Sequence, residues 1–158
     1  MRARSLLVVG VVLLGLTHMR WGIGALAWIA PVPLLAYLRA TRGARARGWA
    51  ALAIYAGYSL ATLKITTAPI PSVAALGFAL PTAAMAIAAY LAWDRTRSPL
   101  VFAAASVVTE FAQHRFTPFA SWGAVAYTQV DQLALLQVSA LVGMAGVSFV
   151  VSWVAASL

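Results

Sequence analysis

The 158 residues are 63% hydrophobic and 9% charged, where a soluble domain carries about 25% charged residues, so too little polar side chain is present to cover a globule in water and composition points to an integral membrane protein. Eleven basic residues against three acidic ones give a net charge of +8, but they sit in short clusters between apolar runs, a pattern of membrane topology rather than of nucleic-acid binding. The absence of cysteine excludes disulfides, thiolate nucleophiles and Cys-based metal sites within these residues, and His18 and His114 alone do not make a usual zinc site, so no metal and no cofactor is expected.

The chain opens with "MRARSLLVVGVVLLGL", a basic stretch followed by an apolar one. With "ALA" at 25–27 this is also the layout of a secretory signal, but the sequence beyond stays apolar, and an uncleaved first helix is the simpler reading. Charge-free runs then mark further membrane segments: Trp21–Leu38 has 18 residues, Gly48–Leu63 has 16, Ile65–Trp93 has 29, Ser98–Thr109 has 12 and Gln132–Leu158 has 27. A crossing needs about 20 residues. Six are expected, at about 5–19, 23–38, 49–66, 72–93, 98–117 and 132–156. Pro31 and Pro33 lie within the second. They remove two backbone donors, which makes a kinked helix the favoured expectation over a broken or re-entrant one. Pro69 and Pro71 punctuate a turn, and Pro81 predicts a kink in the fourth crossing.

Six crossings place Arg2 and Arg4, then Arg39, Arg42, Arg45 and Arg47, then Arg95 and Arg97 all on one side, which the positive-inside rule makes the cytoplasm. Both chain ends fall on that side. Arg20, Lys64 and the segment Glu110–Asp131 fall on the other. In "SALVGMAGVSF", Gly143, Gly146 and Ser148 lie within two turns and predict a helix-packing surface, as does the Ala-rich fourth crossing.

The segment "EFAQHRFTPFASWGAVAYTQVD", Glu110–Asp131, interrupts the apolar pattern. An intramembrane carboxylate is costly unless paired. His114 at i+4 and Arg115 close by are its expected partners, with proton transfer or head-group binding as the functional alternative. Phe116, Phe119, Trp122 and Tyr127 are rings that favour the head-group layer. The segment is too long for a turn and too polar for a crossing, so an interfacial aromatic arm between the fifth and sixth crossings is expected. Its rings suit acyl chains, while Arg115, Thr128 and Gln129 suit polar head groups.

Glu110, then Trp122, Tyr127, Gln129 and Asp131, followed by Gly143, Gly146, Ser148 and Phe149, resemble the membrane domain of bacterial apolipoprotein N-acyltransferases. That family carries a glutamate near the end of a crossing, an arm with a Trp…Gly-Tyr-x-Gln-x-Asp pattern and a helix with Gly-x-x-Gly-x-Ser-Phe. "LAWIAPVPLLAYLR" is similar to its second helix. Ala126 stands where the arm usually has glycine, Gln113 where an arginine is usual, and "PFASW" replaces Gly-Phe-Pro-Trp. The resemblance implies a lateral entrance for membrane phospholipid and lipoprotein, with Glu110, Arg115, Trp122, Tyr127 and Gln129 as its candidate residues. It also implies that acyl transfer occurs elsewhere, in a nitrilase-like domain with a Glu-Lys-Cys triad beyond a seventh crossing. That is covalent chemistry for which residues 1–158 hold no cysteine and only one lysine, Lys64.

The expected architecture is therefore an all-α, polytopic transmembrane domain over 1–158, in the bacterial inner membrane. It acts as the anchoring and lipid-access part of an acyltransferase-like protein and is inactive alone. Its expected partners are phospholipid, a nitrilase-like catalytic domain and a lipoprotein substrate, with no nucleic acid. A self-standing small permease or complex subunit, using Glu110 and Lys64 along a pathway, is the alternative, and an inert remnant a third.

Overall fold

A computed structural model describes residues 3–158; Arg2, counted above in the first basic cluster, lies outside the described residues. Six α-helices and two short 3-10 helices make up the regular structure, with no strand among the described residues. Helix α1 (Ala3–Thr17) ends where the Thr17 hydroxyl donates back to the Leu13 carbonyl at 2.6 Å and the chain turns through positive φ at Met19 and Trp21. A 3-10 helix follows at Gly24–Trp28, and α2 (Val32–Ala40) begins only after it.

The single kinked helix expected over 23–38 is thus not formed; the segment is broken. Pro31 is the N-cap of α2 and Pro33 lies in its first turn. There a missing N–H leaves no hydrogen bond unmade, and the residues upstream take a different path.

Helix α3 (Ala44–Leu63) starts from Gly43 at φ 95, and α4 (Ala74–Thr96) runs unbroken through Pro81 to Arg97 in the left-handed region at φ 57. Helix α5 (Pro99–Phe116) is opened by Ser98, whose hydroxyl accepts the Val101 N–H at 3.4 Å, with Pro99 at the first position. After residues 117–132, which include the second 3-10 helix Val125–Gln129, α6 (Leu133–Ser157) closes the chain.

Helices α3, α4, α5 and α6 pack in sequence, α1 packs on α3, and short α2 touches α1, α3, α4 and α6. The main core gathers Leu14, Leu34, Leu38, Ile54, Tyr90 and Phe102. A smaller one joins Ala27 and Ala126 to Val147 and Val151 of α6. At the opposite end, the Asp94 carboxylate accepts Arg47 Nε at 2.8 Å and Arg97 at 2.6 Å, fastening the start of α3 to the end of α4. Among the described residues, α4 and α6 are long and apolar enough to cross a bilayer, and Ala3–Thr17 and Gly24–Ala40 are shorter apolar segments. Large apolar side chains face outward on every helix but α2, among them Val12, Leu60, Leu80, Val108 and Leu141.

Glycines allow a close helix approach between α1 and α3, not on α6. A β-carbon on Gly57 would stand 2.7 Å from Leu14 Cβ, and one on Gly15 would stand 3.2 Å from Leu60 Cβ. Gly143, expected at a packing surface, instead interrupts α6 with φ 65 and ψ −172 and has no neighbour where a β-carbon would sit. Gly146 meets only Val142 of its own helix. Ala75, Ala79 and Ala83, four residues apart, form the buried stripe of α4.

Two substitutions in α3 should therefore act with opposite sign. Gly57→Ala is expected to destabilise by about 1–3 kcal/mol, because Leu14 Cβ cannot swing away. Gly48→Ala, with open space around it, should be neutral or stabilise by about 0.5–1 kcal/mol through helix propensity. Thermal unfolding in detergent checks both.

Candidate functional site

The site is built where the two stretches outside the α-helices, 18–31 and 117–132, meet at one end of the bundle. A segment that leaves helical structure must find partners for its backbone groups, above all beside lipid. Here polar side chains of α5 and α6 supply many of them. Glu110, on α5, accepts the Val125 N–H at 2.8 Å. Ser148, fully buried on α6, accepts the Ala126 N–H at 3.1 Å. Gln113, one turn after Glu110, donates through Nε2 to the carbonyls of Ala120 at 3.1 Å and Trp122 at 2.6 Å.

Gln129 ties the same segment to the broken second helix. It is fully buried, its carbonyl accepts Trp28 Nε1 at 3.1 Å, and its amide donates to the Gly24 carbonyl at 2.9 Å and to Thr128 Oγ1 at 2.8 Å. The contact needs glycine at 24, since a β-carbon there would overlap the Thr128 carbonyl oxygen. Trp122 stacks in a trio with Phe119, ring centroids 5.5 Å apart, and Phe78 of α4, 6.2 Å away, and its Nε1 donates to Met19 Sδ at 3.0 Å. Tyr127 stands half-exposed, its hydroxyl 2.7 Å from Ser121 Oγ.

The expected pairing of Glu110 with His114 or Arg115 does not occur. Both basic residues are exposed, and the ion pairs among the described residues involve only Asp94. His114 borders the same cavity as Glu110 but makes no bond to its carboxylate, which is turned to the Val125 N–H. Of the five entrance candidates, Glu110 and Trp122 line one cavity, Tyr127 borders an adjoining cleft, Gln129 is sealed within the hydrogen-bonded tie, and Arg115 stands apart from all of them.

That cavity, of about 170 Å³, lies beneath the arm and is bounded by α1, α3, α4, α5 and α6. Its walls are mostly apolar, with Phe102 and Val151 among them, and its polar groups include Glu110, His18, Tyr58, Tyr90, Gln113 and His114. His18 stacks on Tyr58 with centroids 5.0 Å apart. Its Nδ1 lies 3.4 Å from the Leu14 carbonyl, which assigns the proton to Nδ1 and leaves Nε2 an acceptor. His18 Nε2 and Tyr90 Oη are buried without a protein partner. Sequence reasoning missed the trio of His18, Tyr58 and Tyr90. The available signal was two tyrosines and a histidine within or beside otherwise apolar helices, positions where polar groups carry a cost.

An all-α bundle, with two of its described helices long and apolar enough to cross a membrane and a hydrogen-bonded segment folded over one end, is the class that this geometry defines. The chain belongs to the apolipoprotein N-acyltransferase N-terminal domain family, whose sequence model matches residues 10–157. No curated protein and no solved structure matches it.

Gln129→Leu should release the arm from the second segment. It leaves the Trp28 indole N–H without its partner and removes the bond to the Gly24 carbonyl, at a cost of about 1–3 kcal/mol. The expected result is a lower thermal midpoint with faster protease cleavage between 117 and 132, while Tyr127→Phe changes neither.

Proposed function

We propose that these residues form the membrane-anchoring and lipid-access domain of an apolipoprotein N-acyltransferase-like protein. In this reading the bundle crosses the bacterial inner membrane six times, with both described ends cytoplasmic, and the arm lies in the outer head-group layer. Residues 117–132 roof a lateral entrance through which phospholipid and the lipoprotein's N-terminus reach a nitrilase-like catalytic domain carrying the Glu-Lys-Cys triad. The 158 residues alone hold no atom that can carry an acyl thioester and are inactive by themselves.

The observation that carries this reading is the Glu110–Val125 and Ser148–Ala126 tie, which holds a ring-rich segment over a mostly apolar cavity. Glu110 and Gln129 shape the entrance by positioning the arm, Trp122 and Tyr127 offer rings to acyl chains, and Arg115, exposed at the same end, offers a cation to a phosphate.

Co-expression with a nitrilase-like catalytic domain is expected to yield N-acylated lipoprotein. Glu110→Ala should lower the yield roughly tenfold or more, since misplacing a substrate by about an ångström has costs of that order. Acylation by residues 1–158 alone would overturn the reading. In this cysteine-free chain, Ser121→Cys should react with an impermeant maleimide from outside the cell and Arg42→Cys only after permeabilisation.

The unpartnered His18 Nε2 and Tyr90 Oη beside Glu110 favour one second reading, a small permease. Substrate flux through liposomes holding the chain alone, abolished by Glu110→Gln, would select it.

A further inference from the structure

A second concavity lies at the other end of the molecule, away from the arm. It is a groove of about 740 Å³ between α1 and α3, with the end of α2 at its mouth. Its wall is apolar: Leu7, Val8 and Val11 on one side face Trp49, Leu52 and Ala56 on the other. Val8, Trp49 and Leu52 remain 62%, 50% and 53% exposed, so the helices leave the groove open to the surroundings. Its mouth carries Arg4, Arg42 and Arg45 and no carboxylate.

The charge there is unbalanced by construction. The chain has three acidic residues. Glu110 and Asp131 are at the arm end, and Asp94 is occupied by Arg47 and Arg97. Helix α3 also opens without a side-chain cap and without an acid in its first turn, so its N-terminal amides add to the positive field.

Depth matches as well. From Arg45 to Ala56 the groove follows roughly 16 Å of helix rise. One leaflet supplies about 15 Å of hydrocarbon. A ligand with an anionic head and a tail one leaflet deep fits both the charge and the length.

We propose that this groove binds an anionic phospholipid of the leaflet on the basic side of the membrane. Its phosphate rests on Arg4, Arg42 and Arg45, and one acyl chain lies along Val8, Val11, Leu52 and Ala56. The site is separate from the entrance beneath the arm and does not depend on it. Basic recesses between membrane helices recognise anionic head groups by this chemistry, and arginine suits phosphate through paired N–H donors.

The test is native mass spectrometry of the full chain in neutral detergent, titrated with dioleoyl phosphatidylglycerol or dioleoyl phosphatidylcholine. Phosphatidylglycerol is expected to bind more tightly. Arg42→Gln with Arg45→Gln should weaken it by roughly tenfold or more. Arg39→Gln with Arg95→Gln removes the same charge from the same end outside the groove and should change it by less than about twofold. Ala56→Phe, which fills the apolar wall, should weaken both lipids. Equal binding of the two lipids, or equal losses from the two arginine pairs, would overturn the proposal. All four arginines are solvent-exposed, so the paired comparison stands even if Ala56→Phe fails to fold.

Discussion

The architecture turns on one constraint: backbone that leaves the helix and is buried against a bundle must find a partner for each polar group it hides. Two stretches of this chain leave the α-helix, and they meet at the same end of the bundle. Gln113, Glu110, Ser148 and Gln129 between them take two carbonyls of the arm, two of its N–H groups, and one carbonyl of the broken second segment. That set works beside apolar contacts of the arm, among them the Phe78–Phe119–Trp122 trio and the small core around Ala126. The carboxylate is therefore best understood as an acceptor for a folded backbone, with any head-group chemistry resting on that role.

The opposite end is held by different physics. The Asp94 side chain lies buried between two arginines, while the close approach of α1 and α3 at Gly15 and Gly57 lies toward the arm. The basic end is thus fastened by charge, the other by close packing and by neutral and carboxylate hydrogen bonds. The polarity of the molecule, basic at one face and ring-rich at the other, follows from that division.

The helical class and the approximate extent of most helices were legible in the sequence, because charge-free runs and basic clusters record them locally. Glu110 was legible as a focus for the same reason: a lone acid in an apolar run stands out. Its partners were not. Periodicity offered His114 and Arg115, four and five residues away, whereas the structure uses the Val125 N–H, and nothing local announces a bond from Trp28 to Gln129. The paired prolines at 31 and 33 signalled a disturbance without telling a kink from a break, since that depends on whether neighbours can satisfy the freed backbone. Gly143 and Gly146 matched a packing pattern, but spacing alone does not say which side of a helix has a neighbour.

Gly143 has a consequence for how α6 is oriented. A φ of 65 with a ψ of −172 is open to glycine and essentially to nothing else. A side chain there would strain this backbone and favour ordinary helical angles in its place, and the ten residues before it form a rod about 15 Å long. The rod's outer surface is largely bare, Leu141 being 88% exposed, so little packing resists its rotation. Because the rod is joined directly to residues 117–132, a change at a position that touches nothing would swing the arm's far anchor across the mouth of the bundle.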